Sequence, residues 1–296
     1  MISRRGVLVA TAGVLMFHGG GNRARGETRT WASLPTRLAA IEAESGGRLG
    51  VAVLDTATGR RAGHRDGERF PMCSTVKLLL TAATLARVDG GAERLDQTVH
   101  IQPADLIEYS PVTGPAAGGP GLSMEALAEA AMTLSDNTAA NLLLSRLGGP
   151  SALTDFIRSI GDAVTRSDNV EPTLNDVPAG SFHDTTTPAA MLADLQILTL
   201  GPALSAESRE RLVGWLIGCR TGASRLRADL PADWRVGDKT GSWGAQGTAN
   251  DVAIAWPPER PPLLIAAYLT ASRENAARRD AALAAVGRAT ADALTA

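Results

Sequence analysis

Three short groups of residues in this chain have the types and spacing that acyl transfer requires. Ser74 and Lys77 stand three apart at the head of an apolar helical run, so they share one face, a turn from each other. At a helix N-terminus the dipole favours developing negative charge. A serine becomes a nucleophile when a base takes its proton, and a neutral lysine a turn away can serve. Ser135-Asp136-Asn137 falls between two helical segments, and Lys239-Thr240-Gly241 follows a strand-like run, Trp234–Asp238. The groups occur in this order, 61 and 104 residues apart. Singly, each has an ordinary reading: Ser-x-x-Lys recurs by chance, and Ser-Asp-Asn is more often a helix cap than a proton shuttle.

The elements that must position them follow from periodicity. Thr36–Glu44 reads as a helix closed by Gly46-Gly47, Gly50–Asp55 as a strand, Thr56–Gly59 as a turn and Arg60–Arg65 as the returning strand. Ser74–Val88 is apolar nearly all round, the mark of a helix buried on every side. Ser110–Gly121 is rich in Pro and Gly and reads as a loop; Ser123 caps a helix over Met124–Met132, and Asn137–Leu147 is a helix closed by Gly148-Gly149-Pro150. Residues 161–188 lack periodicity, and a loop that long in a compact domain is usually functional. Pro188–Leu200 and Ser205–Ile217 return to helix, Trp234–Val236, Val252–Trp256 and Leu263–Thr270 to strand, and Asn275–Leu294 is an amphipathic terminal helix. The order predicts one sheet assembled from both chain ends, with a helical part inserted between them.

Composition narrows the function. Over 296 residues the net charge is -2, with 44% hydrophobic and 20% charged residues, which supports a folded core and argues against nucleic acid as a partner. His18, His64, His100 and His183 form no zinc spacing and the two cysteines no Cys-x-x-Cys pair, so neither a metal nor any other cofactor is expected. The basic start Met1–Gly6, the eleven-residue apolar run Val7–Phe17 and the break at His18-Gly19-Gly20-Gly21 read as an export signal over residues 1–26, too short for a stable membrane anchor. Arg4-Arg5 gives it a twin-arginine character, with a weak cleavage site at Ala24-Arg25-Gly26. The expected location is periplasmic or secreted, without stable membrane insertion.

The three groups form the motif set of class A β-lactamases and penicillin-binding proteins. With Tyr109-Ser110-Pro111-Val112, Glu171-Pro172-Thr173-Leu174-Asn175 and Asp184-Thr185-Thr186-Thr187-Pro188, the chain from about residue 31 to its end resembles a class A serine β-lactamase. The resemblance implies an α/β (α+β) fold: a five-stranded antiparallel sheet flanked by terminal helices over 27–70 and 219–296, and an all-α domain over 71–218 that includes the 166–184 loop. It implies that Ser74 attacks the lactam carbonyl, with the backbone N–H groups of Ser74 and Ser242 as oxyanion hole. Lys77 and Glu171 would share the proton work, and Glu171 and Asn175 would hold the hydrolytic water. Ser135 would protonate the leaving nitrogen, and Asn137 would bind the substrate's side-chain amide. Lys239, Thr240, Gly241 and Ser242 would face the carboxylate and Tyr109 would wall the entrance, while Asp136 would brace the helix junction. The partners implied are β-lactam antibiotics and mechanism-based inhibitors, acting on a monomer.

Two departures from the family pattern matter. Asn169 stands where relatives often carry an arginine paired to the acid matched by Asp184, so the loop should lose one ion pair, with Arg166 and Asp168 as a remaining pair. Thr248-Ala249-Asn250 offers no carboxylate-binding arginine, and Arg225 matches the substitute position of some broad-spectrum members. Arg225 together with Ser242 favours carbapenem turnover, whereas Trp243 in place of a cysteine that would bridge to Cys73 counts against it. Cys73 reads as a small buried filler, and no disulfide with Cys219 is expected. The alternatives are a D-alanyl-D-alanine peptidase, which would lack a deacylating glutamate such as Glu171, and a penicillin sensor, which would need a membrane tether.

Overall fold

Strand-forming runs from the two ends of the chain meet in one sheet. The structure, a computed structural model, describes residues 21–295; the basic start and apolar run of the expected export signal lie outside the described residues. The first elements are α1 (Gly21–Glu44), β1 (Arg48–Asp55), β2 (Arg61–His64) and β3 (Phe70–Pro71). The helical part follows, with α2 (Val76–Asp89), β4 (Thr98–Val99), α3 (Thr113–Ala116), β5 (Leu122–Ser123), α4 (Met124–Thr133), α5 (Asn137–Leu147), α6 (Pro150–Ser159), β6 (Thr185–Thr186), α7 (Pro188–Thr199) and α8 (Ala206–Ile217). The chain closes with β7 (Arg235–Trp243), β8 (Thr248–Trp256), β9 (Leu263–Thr270) and α9 (Ala276–Thr295). The main sheet is antiparallel throughout, in the order β2-β1-β9-β8-β7. Two-stranded pairings β3–β6 and β4–β5 pin the helical part at its edges.

The sheet is buried on both faces. Leu34 and Leu38 of α1 and Leu283 and Val286 of α9 cover one face. The other packs on Leu78, Leu79 and Leu85 of α2 and on Met191 and Leu195 of α7. Each such side chain, fully removed from water, contributes about 1.5–3 kcal/mol. Every residue from Val76 to Leu85 is buried, Lys77 included, so α2 is the central helix its apolar pattern predicts. Ser123 caps α4 by accepting from Ala126 N, and Gly148, at φ 112°, ends α5 in the left-handed conformation that glycine adopts without penalty.

Several boundaries differ from the sequence expectation. Pro150 is not only the stop after α5; it opens α6 at the first helical position, where its missing N–H costs nothing. The Leu153 and Ile157 stripe buries that helix. The segment 110–121 holds the short α3. Helix α1 runs through Pro35 rather than starting after it, held by the burial of Trp31 and Leu34 before the proline and of Leu38 after it. Lys239-Thr240-Gly241 does not follow a strand but lies inside β7, because the ladder to β8 carries on through Gly241↔Asn250 and Ser242↔Ala249. Low local strand propensity is overridden by the neighbouring strand.

Candidate active site

Ser74 sits in a 3-10 turn, Cys73–Thr75, that leads into α2. Its direction is set by Cys73, a buried residue held at φ 47°. Tyr109 (φ 62°) and Ser135 (φ 59°) are also left-handed, a conformation costing a non-glycine residue about 1–2 kcal/mol. Such strain gathers where packing forces side chains into a site. Cys73 and Cys219 are free thiols, and burial pushes both upward in pKa.

Edge strand β7 passes directly over the serine turn. A side chain at Gly241 would come 2.7 Å from Met72 O and 3.1 Å from Ser74 N, so the approach requires glycine. Asn250 of β8 fastens the same turn by donating to Pro71 O (2.8 Å) and Met72 O (3.0 Å). The resulting cleft of about 380 Å³ is lined by Ser74, Tyr109, Ser135, Asn137, Glu171, Asn175, Arg225, Thr240, Gly241 and Ser242, with Glu108, Pro172, Thr221 and Trp243.

Lys77 Nζ is the hub. It donates to Ser74 Oγ (3.0 Å), Ser135 O (2.8 Å), Ser135 Oγ (3.3 Å) and Asn137 Oδ1 (2.6 Å), and lies 3.0 Å from Glu171 Oε1. Ser74 Oγ in turn donates to Glu171 Oε1 at 3.1 Å. Burial lowers the Lys77 pKa, and the Glu171 carboxylate opposes that shift. Glu171 Oε2 accepts from Asn175 Nδ2 at 2.6 Å, while Asn175 Oδ1 is buried with no partner among the described residues. Lys239 Nζ donates to Ser135 Oγ (3.1 Å) and Thr240 O (2.9 Å). It is fully buried, and burial together with the charge of Lys77 pushes its pKa down to about 8.

Arg225, 8% exposed, is held from three sides. Nε meets Asp280 at 2.8 Å, Nη1 donates to Gly241 O and Asn250 O, and Nη2 donates to Ser242 Oγ at 2.6 Å. Arg227 turns instead to the buried Asp238. Tyr109 is 55% exposed at the rim. Asp136 caps α5 through Ala139 N and also accepts from Val112 N, Thr113 N and Thr113 Oγ1, which is the brace expected of it. The residues singled out in the sequence therefore converge on one cleft.

The sequence reading missed Asn141 and Thr221. Asn141 clamps the Glu171 backbone, accepting from its N–H and donating to its C=O at 2.9 Å each; its position four after Asn137, on the same helical face, is the signal that could have found it. Thr221 Oγ1 meets Thr240 Oγ1 at 2.5 Å and had no local signature. The loss of an ion pair at Asn169 leaves a hydrogen bond in its place: Nδ2 donates to Asp184 Oδ2 at 2.6 Å, and the N–H groups of Asp168 and Asn169 both reach Asp184 Oδ1. Arg166 pairs with Asp168 as expected.

A model of the β-lactamase enzyme family matches residues 33–294. The chain belongs to the class A β-lactamases. It is 48% identical to β-lactamase AST-1 of Nocardia asteroides over 87% of this chain and 83% of that protein. It is 47% identical to β-lactamase CTX-M-8 of Citrobacter amalonaticus over 85% of this chain and 86% of that one. Among solved structures, an ancestral (GNCA) class A β-lactamase aligns with TM-score 0.86 at 60% identity, covering 88% of this chain and 99% of that chain. A β-lactamase from Xanthomonas campestris pv. campestris aligns with TM-score 0.87 at 51% identity over 90% and 99%. This β-lactamase accordingly hydrolyses the β-lactam amide bond. Among its described residues, no helix is long and apolar enough to cross a membrane, and no three or more His, Cys, Asp or Glu side chains gather where they could hold a metal ion.

Proposed function

We propose that this β-lactamase turns over penicillins and cephalosporins through a covalent acyl-serine on Ser74, with carbapenems within its range. The observation that carries the reading is the contact triangle of Ser74 Oγ, Lys77 Nζ and Glu171 Oε1, each edge 3.0–3.1 Å. In acylation the Ser74 proton passes to the Lys77–Glu171 pair. The backbone N–H groups of Ser74 and Ser242 stabilise the oxyanion, a donor worth about 10²–10³ in rate. Ser135, which touches both lysines, delivers a proton to the leaving nitrogen. In deacylation Glu171 takes a proton from a water positioned by Asn175, whose buried Oδ1 has acceptor capacity to spare. Asn137 binds the substrate amide; Lys239, Thr240, Gly241, Ser242 and Arg225 receive the carboxylate; Tyr109 walls the entrance. The contact of Arg225 Nη2 with Ser242 Oγ supports the branch with a substitute carboxylate-binding arginine. Mechanism-based inhibitors acylate the same serine.

The same reading makes residues 1–26 a twin-arginine export signal and the mature enzyme a periplasmic or secreted monomer. Residues 27–70 and 219–296 then form the α/β domain and 71–218 the all-α domain. Mass spectrometry of enzyme mixed with penicillin tests the chemistry. Ser74→Ala should show no adduct. Glu171→Ala should accumulate a long-lived acyl-enzyme, because a general base is typically worth about 10²–10⁴. Absence of that adduct with a good substrate would refute the role of Glu171.

A further inference from the structure

A second cavity, about 820 Å³, lies behind the 161–187 loop. It is larger than the catalytic cleft and within the range that holds drug-sized ligands. A hydrogen bond from Gln246 Nε2 to Asp176 Oδ1 (2.9 Å) ties the loop to the β7–β8 turn. Asn175, next to Asp176, and Trp243, three residues before Gln246, line the cleft; Val177 and Gln246 line the cavity. The tie thus separates two neighbouring spaces.

The cavity's chemistry is one-sided. Arg69 spans its wall, with its guanidinium 4.9 Å from the ring centre of Phe182, which is 60% exposed. Arg69 donates only to neutral acceptors, Thr185 Oγ1 and Val164 O, at 3.0 Å each. Among the described residues it makes no ion pair, unlike Arg48 beside it, which pairs with Glu68. Burial and the nearby Arg166 lower the Arg69 pKa, and Asp162 offsets this only in part. A partly desolvated guanidinium without a carboxylate is the half of a charge-assisted pair that an anion completes. Phe182, Val177 and Pro178 supply an apolar wall for a flat ring.

We infer that this cavity is a binding site for small aromatic organic anions, carboxylates or sulfonates, with Arg69 receiving the anionic group and Phe182 the ring. The inference does not depend on the roles assigned to Ser74 or Glu171. The probe is 1-anilinonaphthalene-8-sulfonate, titrated by fluorescence into the intact enzyme, with uncharged N-phenyl-1-naphthylamine as control. Saturable one-to-one binding is expected, weakened at least tenfold by both Arg69→Gln and Phe182→Ala and retained by Arg69→Lys. Phe182 is exposed, so its removal should leave folding and nitrocefin turnover intact even if Arg69→Gln unsettles the loop. Saturating probe should leave the nitrocefin KM unchanged. A KM that rises with the probe would place it in the catalytic cleft and overturn the inference. So would unaltered affinity in Phe182→Ala, non-saturating fluorescence, or equal affinity for the uncharged control.

Discussion

On the reading proposed above, Arg225 and Lys239 bring two cations to the substrate's carboxylate, and they differ in how they are held. Arg225 is pinned by Asp280 and two carbonyls, so only its Nη2 edge reaches Ser242. Losing a charge-assisted hydrogen bond from such a site costs about 1.5–3 kcal/mol, roughly ten- to a hundredfold in kcat/KM. Arg225→Ala should lower kcat/KM by that factor and weaken clavulanate inactivation in parallel, whereas Arg227→Ala, whose guanidinium faces Asp238, should not. Steady-state kinetics decide it: wild-type kcat/KM in Arg225→Ala would remove the anchor. Lys239 makes a prediction in pH. With its pKa pushed down to about 8, the free enzyme loses this cation as pH rises through 8, and kcat/KM for carboxylate-bearing substrates should fall there. Folding responds in the opposite sense. The unfolded chain keeps the proton up to the usual lysine value of 10.5, so this group's penalty on stability disappears between about 8 and 10.5 as pH rises. A kcat/KM profile flat from pH 7 to 9.5 would contradict the binding role of Lys239. The sequence made both lysines and the glutamate legible because motif residues keep their order. It could not reveal Asn141 or Thr221, whose work depends on which elements come to face each other.

At the scale of elements, the 161–187 loop is organised around a buried acid. Asp184 is 2% exposed and accepts from two backbone N–H groups and the Asn169 amide. Asn169→Ala removes one donor from a buried carboxylate, a loss of about 1.5–3 kcal/mol for a hydrogen bond to a charged group. Amide hydrogen exchange across 168–184 should quicken while the sheet stays protected; unchanged exchange would mean the two backbone donors suffice. The helices α5 and α7 and the strand β9 are readable almost to the residue, since α5 runs from Asp136 to the stop at Gly148, α7 opens on Thr187-Pro188, and β9 is an unbroken apolar run after Pro261-Pro262. The failures share a cause. The Lys-Thr-Gly segment becomes strand because β8 lies beside it, and α6 was hidden because Pro150 serves as a stop and a start at once. The left-handed Cys73 has no local signature, since its conformation is imposed by β7 and β8 closing over the serine turn.

For the molecule as a whole, the cleft is built from both structural layers: the serine turn gives Ser74, α2 Lys77, α5 Asn137 and the loop Glu171, and the sheet edge gives Lys239 to Ser242. No metal is called for by this chemistry. Dialysis against a chelator should therefore leave nitrocefin hydrolysis unchanged, and activity lost to the chelator and restored by zinc would overturn that expectation.

The sheet's strand order also has a consequence for synthesis. Leu54 of β1 is paired with Leu264 of β9, so the first long strand waits for a partner made more than two hundred residues later. At 5–20 residues per second that wait is roughly 10–40 s. Meanwhile the β1–β2 hairpin carries an open edge, the kind of surface that chaperones cover and proteases cut. The helical insert, rich in local contacts, can condense before it. Every side chain lining the cleft has been synthesised by residue 243, yet the strand that locks β7 and β8 to the rest of the sheet has not. Newly made chains thus carry a complete set of catalytic groups before they have a working enzyme, and activity should switch on only as the last strand and terminal helix arrive.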